Sequence, residues 1–139
     1  MLKKTITYTD FNGLERTEDF FFNFTESELA MMEMTKEGGL TTALQRMVNA
    51  KENSTLMVEY EKLLLGAYGV KSDDGRRFEK SPEISKAFKE HPAYSDIFLD
   101  LFRNEKAASE FINGVFPAKL LKEAATDLAE LGIEPVNLA

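Results

Sequence analysis

The chain has 139 residues, the length of one ordinary domain, and its 43% hydrophobic and 29% charged residues predict a globular fold rather than a disordered one. It contains no cysteine, which excludes disulfides, thiolate nucleophiles and cysteine-ligated metals and is typical of a reducing cytoplasm. The net charge of −7 disfavours nucleic-acid binding, and no apolar run is long enough to predict a signal peptide or a membrane span.

Residues 3–24 are predicted to form a β-hairpin. β-branched and aromatic residues dominate its first strand, "TITYTDF". The pair Asn12-Gly13 is the strongest two-residue signal for a type I′ turn, which needs a positive φ at both positions. With that turn, Thr9 lies opposite Arg16, and the tip of the hairpin is expected to be polar.

The base of this hairpin is predicted to carry aromatic residues on both faces. Phe20, Phe22 and Phe24 lie on one face, with Phe21 and Ile6 on the other. A two-stranded ribbon is marginal alone, so both faces need cover. The cover is either the chain's own helices or a second subunit, and in the second case Phe20, Phe21 and Phe22 form an oligomer interface.

Helical patterns follow the hairpin. Thr25 and Glu28 form a capping box, and Ser81-Pro82-Glu83 is typical of a helix start, with an N-cap, a proline at the first position and an acid near the positive end. Apolar residues recur with helical spacing in the stretches around them. These stretches are 40–50, 54–67, 94–102, 105–116 and 118–131.

We therefore predict a mainly α fold of the α+β class, with an N-terminal β-hairpin followed by a small bundle of about six helices. One domain is expected to span 1–139. It divides into a hairpin arm at 3–24, a helical body at 25–117, and a C-terminal helix and tail at 118–139.

The segment 67–83, "AYGVKSDDGRRFEKSPE", resembles a ligand loop at first sight. Gly69 and Gly75 are separated by five residues instead of four, and Arg76-Arg77 stand directly after Gly75 where a phosphate-binding loop needs lysine and then serine or threonine. As a calcium loop it lacks acids at the ligand positions apart from Asp74. We predict instead a tight turn at Asp74-Gly75 with short extended arms that joins two helices, with Phe78 packed onto the core.

Candidate catalytic residues are few. His91 is the single histidine, and its place before a proline at a helix break is typical of a capping or surface residue. Ser95 and Asp96 follow, but a triad needs three groups aligned by the fold, and serine and aspartate near a helix start usually cap it. No catalytic, cofactor-binding or metal-binding residue is predicted.

Five blocks, in this order, resemble a family of small tail assembly chaperones from long-tailed bacteriophages, and together they cover residues 3–117. They read "KKTITYTDFNGLERTEDFFFNFTESELAMME", "EGGL", "YGVKSDDGRRFEKS", "AYSDIFLDL" and "AASEFINGVFP". The resemblance implies a non-enzymatic protein without cofactors. It implies binding to the long, helical tape measure protein, which is kept soluble, and help in recruiting the major tail protein.

The resemblance also implies a place of action, the cytoplasm of the infected bacterium, and absence from the mature virion. The alternative is a structural virion protein or a small adaptor of a phage or prophage with the same fold. Such a protein would be found in purified particles, whereas a chaperone would not. A homo-oligomer is compatible with either.

A chaperone for a helical client needs apolar residues that its own core does not use, and large aromatic residues dominate interface energies. Two stripes are the candidates, although the same spacing also describes the core of a bundle. They are Phe98, Leu101 and Phe102, and Phe111, Ile112, Val115 and Phe116. Gly114 within the second stripe would let another helix approach closely. Met31 and Met32 are further candidates, because methionine is common on adaptable binding surfaces.

Overall fold

The computed structural model describes residues 1–35 and 54–116. In chain order the elements are β1 (Leu2–Thr9), β2 (Glu15–Phe22), α1 (Glu26–Thr35), α2 (Ser54–Ala67), β3 (Tyr68–Lys71), β4 (Phe78–Glu79), α3 (Pro82–Lys89), α4 (Pro92–Arg103) and α5 (Glu105–Val115).

The predicted α+β fold, a hairpin followed by helices, is confirmed. Within the described ranges there are five helices, where about six were predicted for the whole chain, and the predicted helices at 40–50 and 118–131 lie outside those ranges. The sheet is larger than predicted, because four antiparallel strands pair in the order β1-β2-β3-β4. None of the helices in this part of the chain is long and apolar enough to cross a membrane.

The register of the first hairpin differs from the prediction by one residue. Thr9 pairs with Glu15 rather than with Arg16. Gly13 has a φ of +83°, whereas Asn12 keeps a negative φ, so the type I′ turn, which needs both positive, is not formed. The loop has three residues and ends in a left-handed glycine, the next most common hairpin geometry.

The side chain of Asp10 is the physical reason for the longer loop. Its Oδ1 accepts hydrogen bonds from the backbone N–H groups of Asn12 (2.8 Å) and Leu14 (2.9 Å). Its Oδ2 accepts from Nε of Arg16 at 2.7 Å. An aspartate that binds the backbone two residues on stabilises its own turn, and here it outweighs the local Asn-Gly preference.

A slip of one residue moves the side chains of one strand to the other face of the sheet. Ile6 therefore shares a face with Phe20 and Phe22, and this face is covered by helices. The prediction that Ile6 lies with Phe21 is wrong. Phe21 lies half-buried on the outer face, with Nζ of Lys71 4.9 Å from its ring centroid.

The segment between α2 and α3 forms the predicted tight turn. The N–H of Ser72 donates to the carbonyl of Arg77 (2.8 Å), and Gly75 has a φ of +72°. Oδ1 of Asp74 accepts from the N–H of Arg76 at 3.0 Å. The carboxylate thus serves the turn itself, which supports the connector interpretation over a ligand loop.

This second hairpin also extends the sheet, which was not predicted. Phe21 pairs with Gly69, and Phe22 pairs with Tyr68. Phe78 is half-buried and lies outside the buried core, so its predicted packing onto the core is wrong. Its ring covers Gly69, where an added Cβ would come within 2.6 Å of it.

Phe22 is the centre of the buried core. Its ring lies 5.8 Å from Phe88 of α3, 5.7 Å from Phe111 of α5 and 5.8 Å from Tyr68 of β3, all edge to face. Aromatic pairs in this arrangement add to the free energy gained by burial alone. The hairpin base, the second hairpin and two helices therefore share one core.

Two predicted helix starts are confirmed. The N–H of Thr25 donates to Oε1 of Glu28 (3.0 Å), and the N–H of Glu28 donates to the Thr25 hydroxyl (3.2 Å), so the capping box is complete. The hydroxyl of Ser81 accepts from the N–H of Ile84 at 3.1 Å and caps α3.

Candidate protein-binding surfaces

His91 has a structural role in the described part of the chain. Its Nδ1 accepts from the N–H of Ala93 (3.1 Å) and caps α4, while its ring meets Tyr8 of β1 edge to face at 4.7 Å. Ser95 and Asp96 are exposed residues inside α4, so the prediction that they cap a helix is wrong. Residues 1–35 and 54–116 contain no group of three acidic or histidine side chains that could hold a metal ion.

The stripe on α5 lies inside the protein. All four of its residues are buried: Phe111, Ile112, Val115 and Phe116. The ring of Phe116 packs on Phe24, with centroids 5.5 Å apart. Gly114 faces Leu2 of β1, because an added Cβ would lie 2.8 Å from the Leu2 side chain. The expected approach of another helix is therefore replaced by the approach of a strand.

The stripe on α4 divides into a buried and a half-buried part. Leu101 is buried, whereas Phe98 and Phe102 are half-buried. Tyr94, Phe98 and Phe102 stack along the helix at centroid distances of 5.8 and 6.4 Å, and Tyr60 of α2 meets Phe102 edge to face. We call Tyr94, Phe98 and Phe102 the aromatic row.

Helix α1 has an inner and an outer apolar side. Leu29 is buried, and Met32 is half-buried against the core. Met31 and Met34 are 63% and 84% exposed, and their spacing of three residues puts them on neighbouring positions of one helix face. We call Met31 and Met34 the methionine strip.

The aromatic residues predicted for an oligomer interface lie at different depths. Phe20 and Phe22 are buried in the chain's own core. Phe21 is half-buried on the opposite face of the sheet. Of these three residues, Phe21 is the one a second subunit could reach in the folded chain.

The tip of the first hairpin is apolar, so the prediction of a polar tip is wrong. Phe11 is 85% exposed and Leu14 is 56% exposed. The prediction of a polar tip rested on pairs such as Thr9 with Arg16 and did not consider Phe11 and Leu14, which flank Asn12-Gly13 in the two-residue turn as well. An aspartate directly before Phe11 is the signal that could have indicated the longer loop.

Lys80 holds α1 and α2 against the second hairpin. Its Nζ donates to the carbonyls of Asn23 and Gly66 (both 2.7 Å) and to Oε2 of Glu28 (2.6 Å). Burial raises the pKa of the Glu28 carboxyl, but the bonds from Lys80 and Thr25 outweigh this effect and leave that pKa below its ordinary value. The start of α1, and with it the methionine strip, is thereby positioned on the body.

The chain was compared with protein families, curated proteins and solved structures. A family model described as phage tail assembly chaperone matches residues 1–136. The comparisons with curated proteins and with solved structures found no significant match. The family match covers nearly the whole chain and all nine elements described above, and it confirms the resemblance drawn from the sequence blocks. This chain belongs to the phage tail assembly chaperone family, a non-enzymatic class of protein.

Proposed function

We propose that this protein binds the tape measure protein of its phage, keeps it soluble and helps to recruit the major tail protein during tail assembly. The observation that carries the proposal is the family match over residues 1–136. The protein acts in the host cytoplasm and is absent from the mature virion.

A client with long apolar helices requires apolar side chains at the surface of its chaperone. Leu101 and the α5 stripe are buried, so a client could reach them only if the fold opened. The methionine strip and the outer edges of Phe98 and Phe102 remain as surface candidates. Unbranched methionine side chains adapt to different apolar partners, so we assign the first client contact to Met31 and Met34, with Met32 behind them.

Co-expression with the tape measure protein tests this proposal. The double substitution Met31→Asp and Met34→Asp should leave the far-ultraviolet circular dichroism spectrum unchanged and abolish recovery of soluble client. Val58→Asp is the control, because Val58 is an exposed apolar residue (52%) on α2 rather than on α1, and it should keep the client soluble. Leu101→Asp, a core change, should unfold the chain itself.

Two results would overturn the assignment. If wild-type chain does not raise the yield of soluble tape measure protein, the proposed client is wrong. If the double methionine variant is folded and still keeps the client soluble, the surface is wrong, and Phe98→Asp becomes the next variant to test.

Recruitment and localisation need separate measurements. Major tail protein should be captured by the complex of chain and tape measure protein, but not by the Met31→Asp, Met34→Asp variant, which lacks the client. Mass spectrometry of purified particles should find no stoichiometric amount of the chain. A fixed copy number of the chain in each particle would instead support the alternative function, that of a structural virion protein.

A further inference from the structure

Strand β1 has an outer side without a pairing strand in the described part of the chain. It is the first strand of the sheet and pairs only with β2 there. The backbone bond from Asp10 N to Leu14 O (2.8 Å) fixes the alternation of the ladder, since bonded and non-bonded pairs alternate between antiparallel strands. Even-numbered residues of β1 therefore bond to β2, and the N–H and C=O groups of the odd-numbered residues point outward.

The outward-pointing residues are Lys3, Thr5, Thr7 and Thr9. Their side chains are all exposed, and no backbone hydrogen bond from the rest of the described residues reaches them. The bond from Asn23 N to Ala67 O (2.8 Å) independently supports this alternation. It shows that the backbone N–H and C=O groups of odd-numbered residues in β2 and its extension point toward β3, which leaves the even-numbered ones to bond to β1. An edge strand of eight residues with a row of unpaired groups is a template for pairing with another strand.

We propose that β1 pairs in antiparallel register with β1 of a second copy of this chain, so that two sheets join into one across a two-fold axis. The register that uses all four outward-pointing residues is centred on Ile6. It places Lys3 opposite Thr9 of the second copy and Thr5 opposite Thr7. Threonine pairs across antiparallel strands are favourable, and the contact is self-complementary, as a closed dimer requires.

The charges along the hairpin favour this arrangement. Both lysines of β1, Lys3 and Lys4, lie at one end of the strand, while Asp10 and Glu15 lie at the other end of the hairpin, which stays net negative although Arg16 pairs with Asp10 there (2.7 Å). Antiparallel pairing brings the basic end of each copy next to the acidic end of the other. Lysine protects many edge strands from association, but here the second copy offers the opposite charge.

The outer side of β2 is a poorer interface. Beyond its short pairing with β3, it presents Glu15 and Asp19. An antiparallel contact between two β2 strands would place carboxylates opposite carboxylates, which is destabilising. The edge of β1 is therefore favoured over that of β2.

The exposed apolar residues at the two ends of β1 agree with the same register. Met1 is 58% exposed, and Phe11 lies at the exposed hairpin tip. In the register centred on Ile6, Met1 of one copy reaches the level of Phe11 of the other. The dimer would thus cover apolar side chains that the single chain leaves in water.

The first experiment measures mass by sedimentation equilibrium and needs no client, so its result is independent of the proposed function. Wild-type chain at about 100 μM should be dimeric, since a micromolar dimer is then nearly saturated. Thr7→Pro removes an outward N–H and leaves the bonds to β2 intact. It should raise the dimer dissociation constant roughly tenfold or more, because each dimer loses two hydrogen bonds.

Thr7→Val is the matched control. Like Thr7→Pro, it loses the hydroxyl contact with Thr17 (2.9 Å). It keeps the backbone N–H of residue 7, so it should dimerise like wild type. Circular dichroism must show that Thr7→Pro is folded. A wild-type chain that stays monomeric, grows beyond a dimer, or dimerises equally well with proline at this position would overturn the proposal.

The second experiment reads the register directly, even if the proline variant fails to fold. The chain contains no cysteine, so Thr5→Cys and Thr7→Cys each introduce a single exposed thiol, and the proposed register places these two positions opposite each other in neighbouring copies. Bonded antiparallel pairs have Cα atoms about 5.5 Å apart, within the range of a disulfide. Mild oxidation of an equimolar mixture should cross-link Thr5→Cys to Thr7→Cys much faster than it cross-links either variant to itself, because the thiols of like chains are offset by two residues. Equal rates, or faster cross-linking of either variant to itself, would refute this register.

Discussion

At the residue scale, two helical glycines have opposite surroundings. Gly114 of α5 faces Leu2, whose Cβ and Cδ1 both lie 2.8 Å from an added Cβ, whereas Gly66 of α2 has Phe24 at 3.5 Å, an ordinary contact. The Leu2 Cβ cannot move without the backbone of β1. The two positions therefore separate the packing role of glycine from its low helix propensity.

We predict that Gly114→Ala destabilises the protein by about 1 kcal/mol. Overpacking costs about 1–3 kcal/mol, and the higher helix propensity of alanine offsets about 1 kcal/mol of that cost. Gly66→Ala, the control, should be neutral or stabilising by up to about 1 kcal/mol. Urea unfolding followed by circular dichroism measures both. Equal stability of the two variants would contradict the close approach of Leu2.

A second residue-scale prediction concerns Lys80. Lys80→Met removes the ammonium and leaves Glu28 and two backbone carbonyls without that donor, at a cost of about 2–3 kcal/mol. Lys89→Met, the control, breaks an ion pair with Glu61 in which the lysine is 53% exposed, and it should cost about 0–1 kcal/mol. Similar losses in both variants would show that Lys80 is an ordinary surface lysine.

The stability effect of Lys80 should depend on pH through Glu28. The pKa of Glu28 is lower in the folded chain than its ordinary value of 4.5, so its contribution to stability is complete above that value and is lost as the pH falls through the folded pKa. The difference in free energy of unfolding between wild type and Lys80→Met should therefore be full at neutral pH and narrow as the pH falls below the ordinary pKa of Glu28. A constant difference would mean that Glu28 carries none of the effect.

At the element scale, the first hairpin is organised by a side chain of its loop. The Arg16 hydrogen bond, followed by the backbone bonds from Leu14 and Asn12, lowers the pKa of the Asp10 carboxyl. The Asp10 carboxylate is thus ionised and accepts hydrogen bonds from three donors at once. The loop depends on this aspartate and on Gly13 with its positive φ, and less on Asn12.

We predict that Asp10→Ala lowers the melting temperature, whereas Asn12→Ala leaves it nearly unchanged because Asn12 keeps an ordinary negative φ. In a type I′ turn the order would be reversed, since alanine is strained at a positive φ. Thermal unfolding followed by circular dichroism distinguishes the two loops. A larger loss for Asn12→Ala would contradict the three-residue loop.

At the scale of the whole molecule, the hairpin base is part of the core. Tyr8, Phe20, Phe22 and Phe24 are buried among helices and the second hairpin. The tip with Phe11, in contrast, extends into solvent. The hairpin is therefore an arm at its tip and a core element at its base.

We predict that deletion of residues 1–24 abolishes folding, because it removes four buried aromatic side chains, each worth about 3–5 kcal/mol. Phe11→Ser, the control, changes only the exposed tip and should keep the wild-type melting temperature. Dispersion of amide signals in NMR spectra reports folding. A truncated chain with a dispersed spectrum would mean that the helices hold a core of their own.

Features that depend on near neighbours in the chain could be predicted from the sequence. The capping box at Thr25 and Glu28, the helix start at Ser81 and the turn at Asp74-Gly75 each involve groups within a few residues of one another. Local hydrogen bonds decide them, so short stretches of sequence suffice. The family was also recognisable from ordered blocks of sequence, without any site.

Features that depend on distant partners could not be predicted from the sequence and became clear from the fold. Helical spacing describes a core stripe and a client-facing stripe equally well. The burial of Phe111 could therefore be recognised only from its contact with Phe22, which lies on another element. The hairpin has two possible loops, one organised by Asp10 and the other a type I′ turn at Asn12-Gly13. The strand registers that they produce differ by one residue. Pairing of β2 with β3 joins residues almost fifty positions apart, and no local pattern encodes such a contact, because its free energy exists only when both strands already lie side by side.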